Sequence, residues 1–405
     1  MAPDTSGREP AAGTPDPAAR AAVLVGVDGS LNASRAFDIA LGIASSRDLD
    51  IELVGAFTYP FSYVDPTDPA VADERAEFRR AVEARIREAT DPLVARAADA
   101  GVGTRLEIRE GDAAGVLMRA SEDAVFGVVG KRGRTPFGGR FMGSVSSSFV
   151  SHARCPVLVV PEAWTGEPAQ AADAPEVEGV AGEPEPAITA ELRARSPEAE
   201  VPASAPAHAP APAPADAPAP AEGSGASGAP DTAEPSDAGG HSGAPAAVTS
   251  PVPPDLDFAG AVVLAVDPGD TRSDLAQRAA DWAEEAGRRL TLVSALALGV
   301  ESSTWVPTRS QRPLLEAPRV RGAAVGRLKE IAAAVADSHP GLPVEWRFYD
   351  GLPAEVIGEA TRTASLVVIG SRGRGGFAGL LLGSVSRAVL ARAVCPVLVV
   401  PAPRG

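Results

Sequence analysis

The chain has 405 residues, a formal net charge of −16 and two cysteines. Its length exceeds one ordinary core and suggests two or three units of about 150 residues each, while two cysteines exclude a disulfide framework and nearly exclude a zinc site. The charge is local: between Gly166 and Ser250 fourteen acidic residues face only Arg193 and Arg195, so −12 of the −16 lies there. The flanking regions are only mildly acidic and lack the basic face of a nucleic-acid binder.

In chain order, residues 1–20 carry acidic, Pro and Gly residues in place of the apolar core of a secretory signal, so this stretch is expected to be disordered and the protein cytoplasmic. The first domain is expected over 21–162, with strands near Val23–Val27, Ile51–Phe57, Thr104–Arg109, Val125–Gly130 and Val157–Val160 and helices between them. Phe78, Val82 and Ile86 recur at four-residue spacing on the second helix and read as core. From 163 to 256 the chain is rich in Ala, Pro, Gly and acidic residues, with no aromatic residue from Glu167 to Ser250, and is expected to be a disordered linker. A second domain is expected over 257–402, with a matching core stripe at Val325, Leu328, Ile331 and Val335. Apolar runs such as Ala21–Val27 and Val394–Val400 fall far short of the ~20 residues that span a bilayer, so no membrane partner is expected.

The two domains are copies. VFGVVGKRGRTPFGGRFMGSVSSSFVSHARCPVLVVP, Val125–Pro161, lies over LVVIGSRGRGGFAGLLLGSVSRAVLARAVCPVLVVP, Leu366–Pro401, with Gly130, Gly133, Gly143, Ser144, Cys155 and Pro161 each recurring 240 positions later. Upstream, Asp28 recurs as Asp267. Apolar strands alternating with helical patterns specify a parallel sheet, and continuous runs such as PVLVVP suit strands covered on both faces. The fold class is therefore α/β: two tandem, doubly wound, parallel five-stranded sheet domains. In such sheets the ligand crevice lies at the carboxyl ends of the strands where the strand order reverses, which directs attention to the turns after the first and fourth strands.

Gly130-x-x-Gly133, nine residues and Gly143-Ser144 follow the fourth strand, and Gly370, Gly373, Gly383 and Ser384 repeat the arrangement. Glycines permit close backbone approach to a ligand or make tight turns, and a helix N-terminus offers unpaired N–H groups to an anion. Ser144 and Ser384 would cap the helix or donate to a phosphate oxygen. Asp28 would cap the next helix or accept ribose hydroxyls. Lys131 and Arg132, with Arg372 and Arg374, would screen phosphate charge or stand as solvated loop residues.

The G-x-x-G-x(9)-G-[ST] spacing, followed by V-S and a CPVLVV strand, resembles the ATP-binding branch of the universal stress protein family, and the likeness covers everything outside the N-terminus and linker. It implies the Rossmann-like, adenine nucleotide alpha hydrolase-like fold and ATP, with Mg²⁺ bridging phosphates, as ligand. Carried onto this chain, the site comprises Asp28, Gly29, Ser30, Ala56, Gly130, Lys131, Gly133, Gly143, Ser144, Val145 and Ser146 in the first copy. In the second it comprises Asp267, Ala295, Gly370, Arg372, Gly373, Gly383, Ser384, Val385 and Ser386. The aspartates would reach the adenosine, and Ala56 and Ala295 would leave room beside adenine. The copies depart from one another at Thr135-Pro136 against Gly375-Gly376 and at Gly29-Ser30 against Pro268-Gly269; Pro136 has no N–H to donate.

Of the four histidines, His152, His208, His241 and His339, none is shared between the copies. There is no nucleophile elbow or paired-histidine metal motif, so a binding module responding to stress is expected, not an enzyme; the alternatives are a slow ATPase or a nucleotide-free scaffold. The final strands, Pro156–Pro161 and Pro396–Pro401, are apolar edges expected to pair with each other within the chain, or between chains as a homodimer. A regulatory protein partner is expected but not identified by the residues.

Overall fold

The structure, a computed structural model, describes residues 20–60, 69–133, 142–167, 256–269, 272–298, 312–371 and 382–402, the side chains of 69–70 and 312–316 excepted. Almost all of 1–20 and of 163–256, the stretches expected to be disordered, fall outside the described residues. The first half runs β1 (Ala22–Val27), α1 (Leu31–Arg47), β2 (Asp50–Phe57), α2 (Pro69–Asp99), β3 (Thr104–Glu110), α3 (Ala113–Ala120), β4 (Phe126–Gly130), α4 (Ser144–His152) and β5 (Val157–Val160). The second half repeats it as β6 (Val262–Ala265), α5 (Ser273–Glu285), β7 (Leu290–Leu296), α6 (Arg312–Ser338), β8 (Val344–Asp350), α7 (Pro353–Ala360), β9 (Leu366–Gly370), α8 (Ser384–Arg392) and β10 (Val397–Val400).

The strands form one sheet in the order β3-β2-β1-β4-β5-β10-β9-β6-β7-β8. Within each half all pairings are parallel, and the halves meet in an antiparallel seam where Val397, Leu398 and Val399 lie opposite Val159, Leu158 and Val157. The pairing expected of the two final strands is thus present within the chain. Parallel order needs helical crossovers, and these cover both faces of the sheet. Because side chains alternate along a strand, Val23, Val25, Val128, Leu158 and Leu398 join one core layer, with Phe37 of α1, Leu93 of α2 and Leu328 of α6. Leu24, Val129, Val157, Val159 and Val399 join the other, with Leu117 of α3, Phe149 of α4 and Val389 of α8. Both layers run through the seam from one half to the other.

The strands expected in the first half lie within one residue of those observed. The stripe on α2 is a partial correction: Phe78, Val82 and Ile86 are only half-buried, and the deep contacts of that helix come from Leu93 and Ala97. Phe78 instead packs edge-on to Tyr59, with ring centroids 5.1 Å apart. In α6, Leu328, Ile331 and Val335 are buried as expected, while Val325 is half-buried.

Candidate functional site

In the first half the strand order reverses between β1 and β4, which are paired neighbours. Both have their carboxyl ends at one crevice, which receives Asp28 from β1 and the glycine loop from β4. Gly29 adopts φ +78°, a conformation costly for other residues, and so turns the chain sharply into α1. Ser30, not Asp28, is the N-cap of that helix: its Oγ accepts from Ala33 N at 3.1 Å. Asp28 shapes the turn from the other side, with Oδ1 accepting from Ser30 N at 3.0 Å. Its Oδ2 lies over Gly133, where a Cβ would come within 2.6 Å of it. The absence of a side chain at the second loop glycine thus leaves room for the first-strand aspartate.

The glycine loop is closed like a clasp. Gly143 N donates to Lys131 O at 2.9 Å, and Ser146 Oγ donates to Gly130 O at 2.7 Å. The second half repeats both bonds, from Gly383 N to Ser371 O and from Ser386 Oγ to Gly370 O, each at 2.7 Å. Ser146 and Ser386 are buried, so these hydroxyls set the loop's closure. Gly130 serves packing: a Cβ there would meet Asn32 Cβ at 3.0 Å, so its absence lets the first turn of α1 lie against the end of β4.

At the start of α4 the structure corrects the capping expected of Ser144. Gly143 is the N-cap and makes no side-chain capping bond, and Ser144 is the exposed first helical residue. The first intrahelical bond runs from Ser147 N to Gly143 O at 2.8 Å, so the amides of Ser144, Val145 and Ser146 precede the helical ladder, as orphan donors do at any helix start. In the second half Gly383 is the corresponding cap, again without a side-chain bond, and Arg387 N to Gly383 O at 3.0 Å is the first bond of α8. A helix start with no side chain folded over it presents donors and the positive end of the dipole to an anion. Val145 is exposed and Val385 half-buried beside these amides.

Lys131 departs from its expected place at the phosphates. It is buried, and its Nζ donates to Ala393 O, 3.1 Å away on the far side of the seam. The loop backbone at this point is tied to β5 through Lys131 N and Val160 O at 2.7 Å, and the side chain extends toward the other half. Arg132 stands 3.9 Å from Glu162. Ala56 and Ala295 lie near the carboxyl ends of β2 and β7, half-buried and buried respectively. In the second half Gly269 N donates to Asp267 Oδ1 at 3.0 Å, repeating the first-strand turn. Arg272, Asp267 and Ile331 line a cavity of only about 10 Å³ there. Arg272 also forks onto Asp274 at 3.0 and 3.2 Å, and this bond holds the Asp274 carboxyl below its ordinary range. Arg372, Gly373, Arg374, Thr135-Pro136 and Gly375-Gly376 lie outside the described residues.

Two neighbours of the site carried no motif. Asn32 supports Gly130, and Leu31, with 79% of its surface exposed, opens α1 beside Asp28; an exposed leucine at a helix start was the only available signal. Among the described residues no group of three His, Cys, Asp or Glu is placed to hold a metal ion, and no helix is long and apolar enough to cross a membrane.

The universal stress protein family model matches residues 20–161 and 260–401. A universal stress protein of Mycobacterium tuberculosis is 26% identical over 400 residues, covering 94% of this chain and 95% of the relative. One from Mycolicibacterium smegmatis is 27% identical over 384 residues, covering 93% and 96%. Among solved structures, a universal stress protein from Archaeoglobus fulgidus shares the fold at a TM-score of 0.50 and 15% identity, over 94% of this chain and 98% of that one. With the family domain matched twice and the two copies joined in one sheet, this chain belongs to the universal stress protein family, as a tandem member.

Proposed function

We propose that each half binds an adenine nucleotide, ATP by preference, and that the protein regulates through occupancy of these sites and not through turnover. One observation carries the reading: a carboxylate after the first strand and a glycine-capped helix start after the fourth share one crevice, in both halves. The carboxylate suits ribose hydroxyls, and the open amides of Ser144–Ser146 and Ser384–Ser386 suit phosphates. The Asp28 contact with Gly133 fits a cradle that a larger residue would fill. Mg²⁺, when bound with the nucleotide, would supply charge neutralisation between phosphates. In this reading the Lys131 side chain, which donates to Ala393 O at the seam, is not a phosphate ligand. Such a protein would work in the cytoplasm, passing its nucleotide state to a protein partner.

Calorimetric titration with MgATP, with phosphate release followed in parallel, tests the proposal. Two nucleotides per chain with release at background support it. Absence of binding overturns it, and sustained turnover replaces the regulator with an ATPase.

A further inference from the structure

The two halves are related by a near-repeat of sequence, but their shared seam is not symmetric. On one side Lys131 reaches across and donates to Ala393 O. The residue 240 positions later is Ser371, whose short side chain stays at home, its Oγ accepting from Ala402 N at 3.1 Å. Among the described residues no side chain fills the space facing Ala153, the counterpart of Ala393, and a cleft of about 640 Å³ remains between the halves. That volume lies within the range of small-molecule sites.

The charges around the cleft differ from those on the mirrored side in the same sense. Arg119 and Arg154 enter from the first half and Arg278 from the second. Their counterparts are Glu359, Val394 and Ile39. On the mirrored side Glu359 is neutralised by a close, buried ion pair with Arg362. At the cleft, the two carboxylates in the lining are engaged: Glu122 stands 3.7 Å from Arg154, and Asp274 is forked by Arg272. Arg119 and Arg278 make no hydrogen bond or ion pair among the described residues. Met118, Pro156, Val400 and Pro401 add an apolar wall. Two guanidiniums from opposite halves, Arg119 and Arg278, the latter also within electrostatic reach of Asp274, face one metabolite-sized cleft and form a fork for an anion with at least two charges.

We propose that this cleft is a third ligand site, one per chain and separate from the two crevices at the strand ends, that takes a small polyanion bearing phosphoryl or carboxylate groups. A ligand bridging Arg119 and Arg278 would tie the halves together at the seam.

The test is calorimetric titration of the full chain, in saturating MgATP, with pyrophosphate in one arm and citrate in the other. The expected result is one equivalent of at least one anion, with affinity falling as NaCl rises through the range where the screening length shortens from ~10 to ~3 Å. The tighter arm assigns the phosphoryl or the carboxylate class. Arg119→Gln with Arg278→Gln should weaken binding about tenfold or more. Both positions are exposed, so thermal melting of the variant should match the parent. Failure of both anions to bind, or undiminished binding by the double variant, overturns the site.

Discussion

The Asp28 carboxylate sits so close over Gly133 that a single methyl group on the glycine would lie 2.6 Å from Oδ2. Real Cβ atoms do not approach an oxygen so closely, so Gly133→Ala must push Asp28 aside. Asp28 is exposed, so the move should alter stability by no more than about 0.5 kcal/mol. If the carboxylate contacts the nucleotide, however, affinity in the first half should fall about tenfold, near 1.4 kcal/mol. Calorimetry should show one of two ATP sites weakened and the other intact. Two unchanged sites would remove Asp28 from the nucleotide.

Gly143 is a weaker test of the same crevice. A Cβ there would meet Arg132 Cα at 3.5 Å and Gly133 N at 3.6 Å, ordinary contact distances, so Gly143→Ala is expected to fold and to keep its loop closed.

Lys131→Met distinguishes a seam residue from a phosphate ligand. Methionine keeps most of the stem but leaves Ala393 O without its donor, which should lower stability by about 1–3 kcal/mol and ATP affinity by less than about twofold. Thermal melting beside calorimetry reads both. A large loss of affinity at unchanged stability would return Lys131 to the site.

Cys155 and Cys395 flank the seam in matching positions and are both buried. Burial pushes the Cys155 thiol up from 9.0 to about 12 and raises Cys395 as well. Since each thiol is held neutral in the folded state, its contribution is fully present below the unfolded value near 9 and is lost as pH rises toward about 12. Neither cysteine should react with iodoacetamide at pH 8 until the protein unfolds. Rapid labelling of the folded chain would show that the seam opens.

What was legible in the sequence was whatever depends on local pattern. VLVV between Pro156 and Pro161 is β-branched, apolar and too short for a helix, and it is a strand in both copies. The crevice after the first and fourth strands and the glycine spacing were equally visible. The direction of Lys131 was not, because its acceptor lies 262 residues away and nothing local to the loop encodes it. The cap of α4 was misplaced by one residue because Gly143 and Ser144 are both acceptable caps, and only backbone angles choose between them. The stripe on α2 has the right period, but a period does not say how far along a helix the sheet extends.

The seam itself yields the last prediction. Leu158 and Leu398 face each other in register, each only 1% exposed, and belong to one core layer with residues of both halves. Phe126 of the first half also packs edge-on to Trp282 of the second, at 5.7 Å between centroids, and Arg47 lies 4.6 Å above that indole while bonding Glu285. Neither half has a free edge here: without its partner, each would expose a strand of four buried residues and the backbone groups that pair with it. Separating the halves would unpair this strand edge and expose apolar surface at about 25 cal/mol per Å², a loss set against a total stability of only about 5–15 kcal/mol for a typical domain. The two domains are therefore expected to unfold as one unit despite the long segment between them in sequence. Leu398→Ala, which removes about 2–5 kcal/mol, should lower the melting temperature of both halves together, and hydrogen exchange should show β5 and β10 amides opening with equal free energy. Two separate melting transitions in the parent protein, or a Leu398→Ala variant whose first half keeps its original stability, would mean that the halves fold independently and that the seam is only a contact between finished domains.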